Sequence, residues 1–367
     1  MSNSNHIQSK INLSEIIEDT LINFDFGCSR IYKLKGPDLS TLEEQDYSSS
    51  VDAIARVLSQ LPEQTAYQFI YQQYHSQPSK IPFNSNNDCQ KNLSDDQNDF
   101  YTNQLIIGVE CYLVISTKTT RDESYILESL FKGFDAKTTD IKQASQLLDQ
   151  IETLQLKLFN ESGITLERCN KETIYNLCIQ LLNHKHPYSL SYNHNNCLRD
   201  TLLFNSIEHQ KEYLHYNQRY YSTITFDVLP EHSVRNLIDR LIHSQLELTY
   251  QVSFECNNQK KELDRLLTKR KLIKGFSYSY IKSQLTNTEP ELDTAIDEQK
   301  QVFDIDLTIQ DIKENNKQLF STRLVICLSH SNLDTLIQNK KQVFTILAGL
   351  ENSVPISDTY NHLDNFF

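Results

Sequence analysis

Glycine is scarce in this chain. Seven occur in 367 residues, at positions 27, 36, 108, 133, 163, 275 and 349. No two are spaced for a GxxxxGK[ST] phosphate loop or a GxGxxG dinucleotide fingerprint, which excludes a P-loop nucleotide site from these residues. HExxH and CxxC are also absent, and no Ser or Cys sits in a nucleophile-elbow context. Long apolar runs are missing too. The most apolar stretches, 105–115 and 324–328, fall far short of the ~20 residues a membrane-spanning helix needs. The opening MSNSNHIQSKINLSEIIEDT lacks the apolar core of a signal peptide, so a cytoplasmic location is expected.

Positive charge is in deficit. The formal net charge of −13 argues against nucleic-acid binding as the main role, because phosphate contacts need a basic face. Eight cysteines stand at 28, 89, 111, 169, 178, 197, 256 and 327. Several fall on apolar strand faces, which fits reduced thiols in a cytosolic protein better than a disulfide framework.

What is present is periodicity. Apolar residues make up only 38% of the chain, yet they recur in regular stripes along most of its length, so the chain is folded. Residues 1–14 are polar and read as a flexible N-terminus. A strand pair is expected at 21–26 and 30–35. A helix follows over 42–61 with Val51, Ile54, Ala55 and Leu58 on one face, stopped by Pro62. Residues 66–74 (AYQFIYQQY) alternate as a strand. Residues 76–99, rich in Asn, Ser, Asp and Pro, read as a mobile loop. A strand at 109–115, a long helix over 139–160 and a strand at 164–168 complete a first α/β lobe over 15–168.

A short helix at 171–183 leads into a polar, His- and Tyr-rich connector, so that 169–219 separates two lobes. The second lobe, 220–367, repeats the order. Ile224, Phe226 and Val228 alternate as a strand, and Val234, Leu237, Ile238, Leu241 and Ile242 form a helical stripe. Tyr250, Val252, Phe254 and Cys256 alternate again. Residues 321–329 (STRLVICLS) are apolar on both faces, as in a central strand. A helix through Leu333–Leu350 and a short closing strand at 353–356 follow. The fold class is therefore α+β, with two ferredoxin-like (βαβ–βαβ) lobes. Phe226, Phe254 and Ile326 are expected on one sheet under Ile238, Leu241, Leu336 and Leu347, so Phe254→Ala should cost about 3–5 kcal/mol.

The second lobe carries a long insertion. Residues of about 258–318 read as an antiparallel helical hairpin where a short turn is the default. One explanation is two solvated helices whose charges face each other; the other is an arm that contacts a partner. The candidate interaction residues are Lys260, Lys261, Leu263, Arg265, Leu266 and Lys269 on the first helix, with Ile296 and Phe303 on the second. The apolar stripe is thin for the hairpin's length, so part of it should meet another surface.

Cys169, Cys178, His184, His186, His194, Cys197, His209 and His215 lie close in sequence and supply enough thiol and imidazole for a zinc site. Their spacing matches no ligand pattern, and a polar connector accounts for the same residues. An enzyme with a metal site here is one alternative. A nucleic-acid-binding module built on the basic helix is another.

The order of elements resembles the N-terminal half of the conjugative-transfer and type IV secretion ATPases, the TraC/TraG/TrbE/CagE type. The resemblance rests on the early strand and helix, on Leu61-Pro62-Glu63 followed by the aromatic strand of Tyr67 to Tyr74, and on the strand that ends at Leu229-Pro230. The later helix, strand, charged hairpin, apolar strand and helix continue it to the closing region at 358–367. In that family the motor with its Walker residues, ATP and Mg would follow, so the resemblance implies an isolated piece or truncated product with no cofactor of its own. It also implies a docking and assembly domain, with neighbouring subunits and inner-membrane proteins of a bacterial secretion or conjugation machine as partners. The expected location is the cytoplasmic face of the inner membrane.

Overall fold

The computed structural model describes residues 11–24, 27–36, 44–76, 106–117, 134–183, 190–193, 196–202, 207–230, 237–275, 292–314, 317–350 and 353–358. The chain is a mixed α/β protein built on one large antiparallel sheet. Its strands are β1 (Leu13–Ile17), β2 (Thr20–Asn23), β3 (Cys28–Lys35), β4 (Thr65–Ser76), β5 (Ile106–Thr117) and β6 (Thr165–Arg168). From the later chain come β7 (Glu208–His209), β8 (Leu214–Tyr216), β9 (Arg219–Val228), β10 (Leu248–Cys256), β11 (Phe320–His330) and β12 (Val354–Ser357). Among the helices, α1 (Glu44–Ser59) and α2 (Phe134–Glu161) belong to the first half, and α3 (Lys171–Asn183) and α4 (Leu198–Leu202) to the connector. The second half contributes α5 (Leu237–His243), α6 (Gln259–Gly275), α7 (Leu292–Glu314) and α8 (Leu333–Leu347).

The two halves share the sheet. In the first, β6 and β5 flank β3, and β4 lies beyond β5. In the second, β12 and β11 flank β9, and β10 lies beyond β11. The outer strands β4 and β10 then pair with each other along their full overlap, from Thr65↔Cys256 to Gln73↔Leu248. Nine consecutive register pairs cross this seam, as many as join β10 to β11, against twelve between β4 and β5.

Strand alternation sorts the side chains onto two faces. Tyr32, Tyr67, Leu113 and Ile115 point to one face, where they are buried under Val57 of α1, Leu61 just beyond its end, and Leu148, Ile151 and Phe159 of α2. The same face in the second half carries Ile224, Leu248, Leu324 and Ile326 under Leu241 of α5 and Leu336, Val343 and Leu347 of α8. On the opposite face, Ile31, Ile70, Tyr112 and Val114 pack against Ile174, Cys178, Ile179 and Leu182 of α3. The first half of the sheet is thus covered on both sides. Gly163 ends α2 in the left-handed region at φ 78°, while the Ile164 N–H donates to the Phe159 carbonyl at 3.0 Å.

Several expectations change. Ile11 is buried and Leu13 opens β1, so residues 11–14 of the stretch read as a flexible N-terminus are ordered. The helix before Pro62 buries Ala53 and Val57, while Val51 is 42% exposed. Its apolar stripe is broad enough that sequence spacing alone placed the face one step off. Phe254 packs edge-on against Phe69 of β4 at 6.2 Å and stands outside the cluster of α5 and α8. The connector is not wholly irregular: it supplies α4, β7 and β8, with Leu198, Leu202, Leu214 and Tyr216 buried. The loop expected at 76–99 lies outside the described residues apart from Ser76, which ends β4.

Candidate docking surface

The hairpin of α6 and α7 leaves the sheet between β10 and β11. At about 1.5 Å per residue its arms are roughly 25 and 35 Å long. Among the described elements, the two helices pack chiefly on each other, with no comparably extensive contact to any strand or to the other helices. Ile305 and Ile309 of α7 are buried, and Leu263, Leu266 and Leu267 of α6 are half-buried. An Arg270 Nη2 bond to Asp306 Oδ2 at 3.0 Å links the arms.

The root of the hairpin is clamped. The Gln259 amide donates to the Leu319 carbonyl at 2.9 Å, and its Oε1 accepts from the Leu319 N–H at 2.8 Å. Asn257 Nδ2 donates to Ser321 Oγ at 2.6 Å, joining the two ends of the insertion again. Asn258 caps α6 by accepting from the Lys261 N–H at 3.0 Å. Glu63, in the turn after Pro62, accepts from the Gln259 N–H at 3.0 Å and from Asn258 Nδ2 at 3.1 Å. A carboxylate there also favours the positive end of the helix dipole. These bonds tie the direction of the hairpin to both halves of the sheet.

The candidate residues divide by exposure. Lys260, Lys261, Arg265 and Lys269 are exposed, with Arg265 paired to Glu262 one turn back at 2.7 Å. Such exposed pairs contribute little stability. Leu263 and Leu266 are half-buried on the helix that packs against α7. Ile296 lies on α7, at a position whose side chain is outside the described residues. Phe303 is 61% exposed, and one turn further Leu307 is 46% exposed; Leu272 of α6 is 51% exposed. Leu272 and Leu307 were not singled out from the sequence. Position 303 plus one helical turn was the available signal for Leu307.

A second open feature lies at the same end of the sheet. β9 and β11 pair from Tyr220↔His330 to Ile224↔Ile326 and then diverge, β9 continuing with β12 and β11 with β10. The resulting cleft, about 530 Å³, is lined by Thr225, Phe226, Val228, Thr322 and Leu324 among others. Val228, Val354 and Ile356 are exposed on the diverging strands β9 and β12.

The thiol and imidazole groups of the connector do not form one cluster among the described residues. Among the described residues, no group of three or more His, Cys, Asp or Glu is placed to hold a metal ion. His184, His186 and His194 lie outside those residues. Burial raises the Cys169 thiol and pushes that of Cys178 up to about 12. Cys197 contacts the Ser14 carbonyl at 3.6 Å, and His215 stacks on Tyr220 and pairs with Glu208 at 3.1 Å.

The most buried charged group is structural. Arg30, 4% exposed, bonds Asp149 at 2.6 Å and Glu152 at 2.5 Å and so fastens α2 to β3. Burial opposes its charge, but the bond to Asp149 and the fields of both carboxylates outweigh that and raise its pKa. Among the described residues, no helix is long and apolar enough to cross a membrane. Comparison with models of known protein families gave no match, and no curated protein matches the sequence.

Proposed function

We propose that this chain is a non-catalytic docking and assembly domain of a type IV secretion or conjugative-transfer ATPase. It would bind neighbouring subunits and inner-membrane components at the cytoplasmic face of the bacterial inner membrane. The observation that carries the reading is the α6–α7 hairpin, a long arm with a fixed root that packs chiefly on itself and presents Phe303, Leu307 and Leu272 to solvent. Apolar side chains clustered on a rigid projecting element are the usual mark of a surface that meets another protein. The open cleft beside the hairpin root adds a second surface at the same end.

Each half reads as a ferredoxin-like unit. The orders β6-β3-β5-β4 and β12-β9-β11-β10 support this, with both helices of each unit on one face. Such a unit brings no chemistry of its own, and ATP with Mg belongs to the motor of the family resembled. The sheet then serves as a platform that aims the arm.

The test is deletion of residues 258–318 in the full-length protein, with a short Gly/Ser linker closing the gap. The core should fold, and assembly or docking should be lost. Phe303→Ser with Leu307→Ser should weaken assembly while leaving the unfolding midpoint unchanged, because neither side chain is buried. Normal assembly by both variants would refute the proposal, as would saturable micromolar ATP binding by this chain.

A further inference from the structure

On the face of the sheet opposite the four paired helices lies a cavity of about 320 Å³. Its floor crosses the seam between the halves, running from Ser29 and Ser116 through Gln68 to Gln251 and Thr249. Its roof is apolar, formed by Cys178, Leu181 and Leu182 of α3. The volume is at the lower end of the range for small-molecule sites, which favour junctions between structural units.

Two features of the lining define what it would hold. First, no Asp, Glu, Lys, Arg or His lines the cavity among the described residues. A phosphate or carboxylate placed against these residues would lose water without gaining a counter-charge from them, so the described lining favours an uncharged ligand. Second, the polar groups of the floor are half-satisfied. Gln68 Nε2 donates to Gln251 Oε1 at 3.2 Å, which leaves the Gln68 carboxamide oxygen and the Gln251 amide N–H groups free to pair with a ligand. Reversing both amides only exchanges the two roles. Ser29 and Ser116 share a single hydroxyl bond at 2.8 Å, so one hydroxyl proton also remains. At the margin, Asn23 Oδ1 is buried with no protein partner.

We infer that this cavity is a binding site for an uncharged lactam-bearing heterocycle of nucleobase to nucleoside size. The N–H and C=O along one edge of the lactam complement the spare donor and acceptor of Gln68 and Gln251. The rest of the ring lies in the thin layer between the sheet and the apolar α3 roof. Because Gln68 belongs to the first half and Gln251 to the second, the ligand bridges the seam and stabilises the joined sheet by linkage. The site is independent of the hairpin and of the docking role.

The experiment is ligand-observed NMR and thermal unfolding of the full chain with four probes: uracil, thymidine, 1,3-dimethyluracil and uridine 5′-monophosphate. Uracil or thymidine should bind saturably below ~10 mM and raise the midpoint. The dimethyl compound, which lacks the N–H, and the charged monophosphate should bind at least about tenfold more weakly, the loss expected for one well-formed hydrogen bond or for an unpaired buried charge. Gln251→Leu should remove the preference for uracil over dimethyluracil while the ligand-free protein stays folded. Should Gln251→Leu fail to fold, Ser116→Ala, which alters only the hydroxyl pair, takes its place and should weaken thymidine binding. Absence of saturable binding by uracil and thymidine would overturn the inference and leave a water-filled cavity. Equal binding of dimethyluracil would overturn it in favour of a merely apolar one.

Discussion

Gln155 should be a liability in the native state. It stands in the buried row of α2 with Leu148, Ile151 and Phe159, is 0% exposed, and neither its Oε1 nor its Nε2 has a protein partner. Protein substitution data put the cost of a buried amide without compensating bonds at about 1–3 kcal/mol. Methionine nearly preserves the length and volume of glutamine, has similar helix propensity and has no strong polar group to satisfy. Gln155→Met should therefore stabilise the fold by about 1–3 kcal/mol. The shift would appear as a higher urea midpoint at unchanged slope, and as a thermal midpoint raised by a few degrees. The paired variant Gln155→Glu should be strongly destabilising at neutral pH, because it buries a charge in the same place. Loss of stability in Gln155→Met would refute the reasoning. It would mean that a buried water satisfies the amide in solution and that the pair is worth keeping.

Phe254→Ala should cost about 1–3 kcal/mol in urea unfolding, less than a fully buried ring, because Phe254 is half-buried and its main aromatic partner is Phe69 alone. Gln259→Ala removes both bonds to Leu319 and should cost about 1–2 kcal/mol. Hydrogen exchange in α6 and α7 should quicken while β4 and β10 stay protected; unchanged exchange would mean that the clamp does not hold the hairpin. Alkaline pH should destabilise the protein. Burial raises Tyr32 and Tyr67 and takes the Cys178 thiol to about 12, so the folded chain keeps protons that the unfolded chain releases. Stability should be full below the ordinary thiol value near ~8.5 and fall as pH rises above it, by about 1.4 kcal/mol per pH unit for each group within its window. Flat stability from pH 8 to 11 would contradict the burial of these three groups.

Local pattern carried the element list well. Alternation marked β9, β10 and β11, the three- and four-residue stripes marked α2 and α8, and the spacing of the two charged helices marked the hairpin. These signals are local because period and capping are properties of a few neighbouring residues. The same periodicity could not choose the buried face of α1, where apolar residues cover more than one side, nor show that Phe254 faces the first half.

Tertiary structure alone decided the rest. That Thr65–Gln73 would meet Leu248–Cys256 and fuse two halves into one sheet depends on two strand edges far apart in sequence, and an exposed edge reads the same whether or not it later finds a partner. The Gln259–Leu319 clamp and the pairing of Gln68 with Gln251 also join distant positions whose composition gives no hint of contact. The absence of phosphate-loop glycines, the acidic balance and the lack of a long apolar run could be read from the sequence, because each depends on what residues are present rather than where the fold brings them.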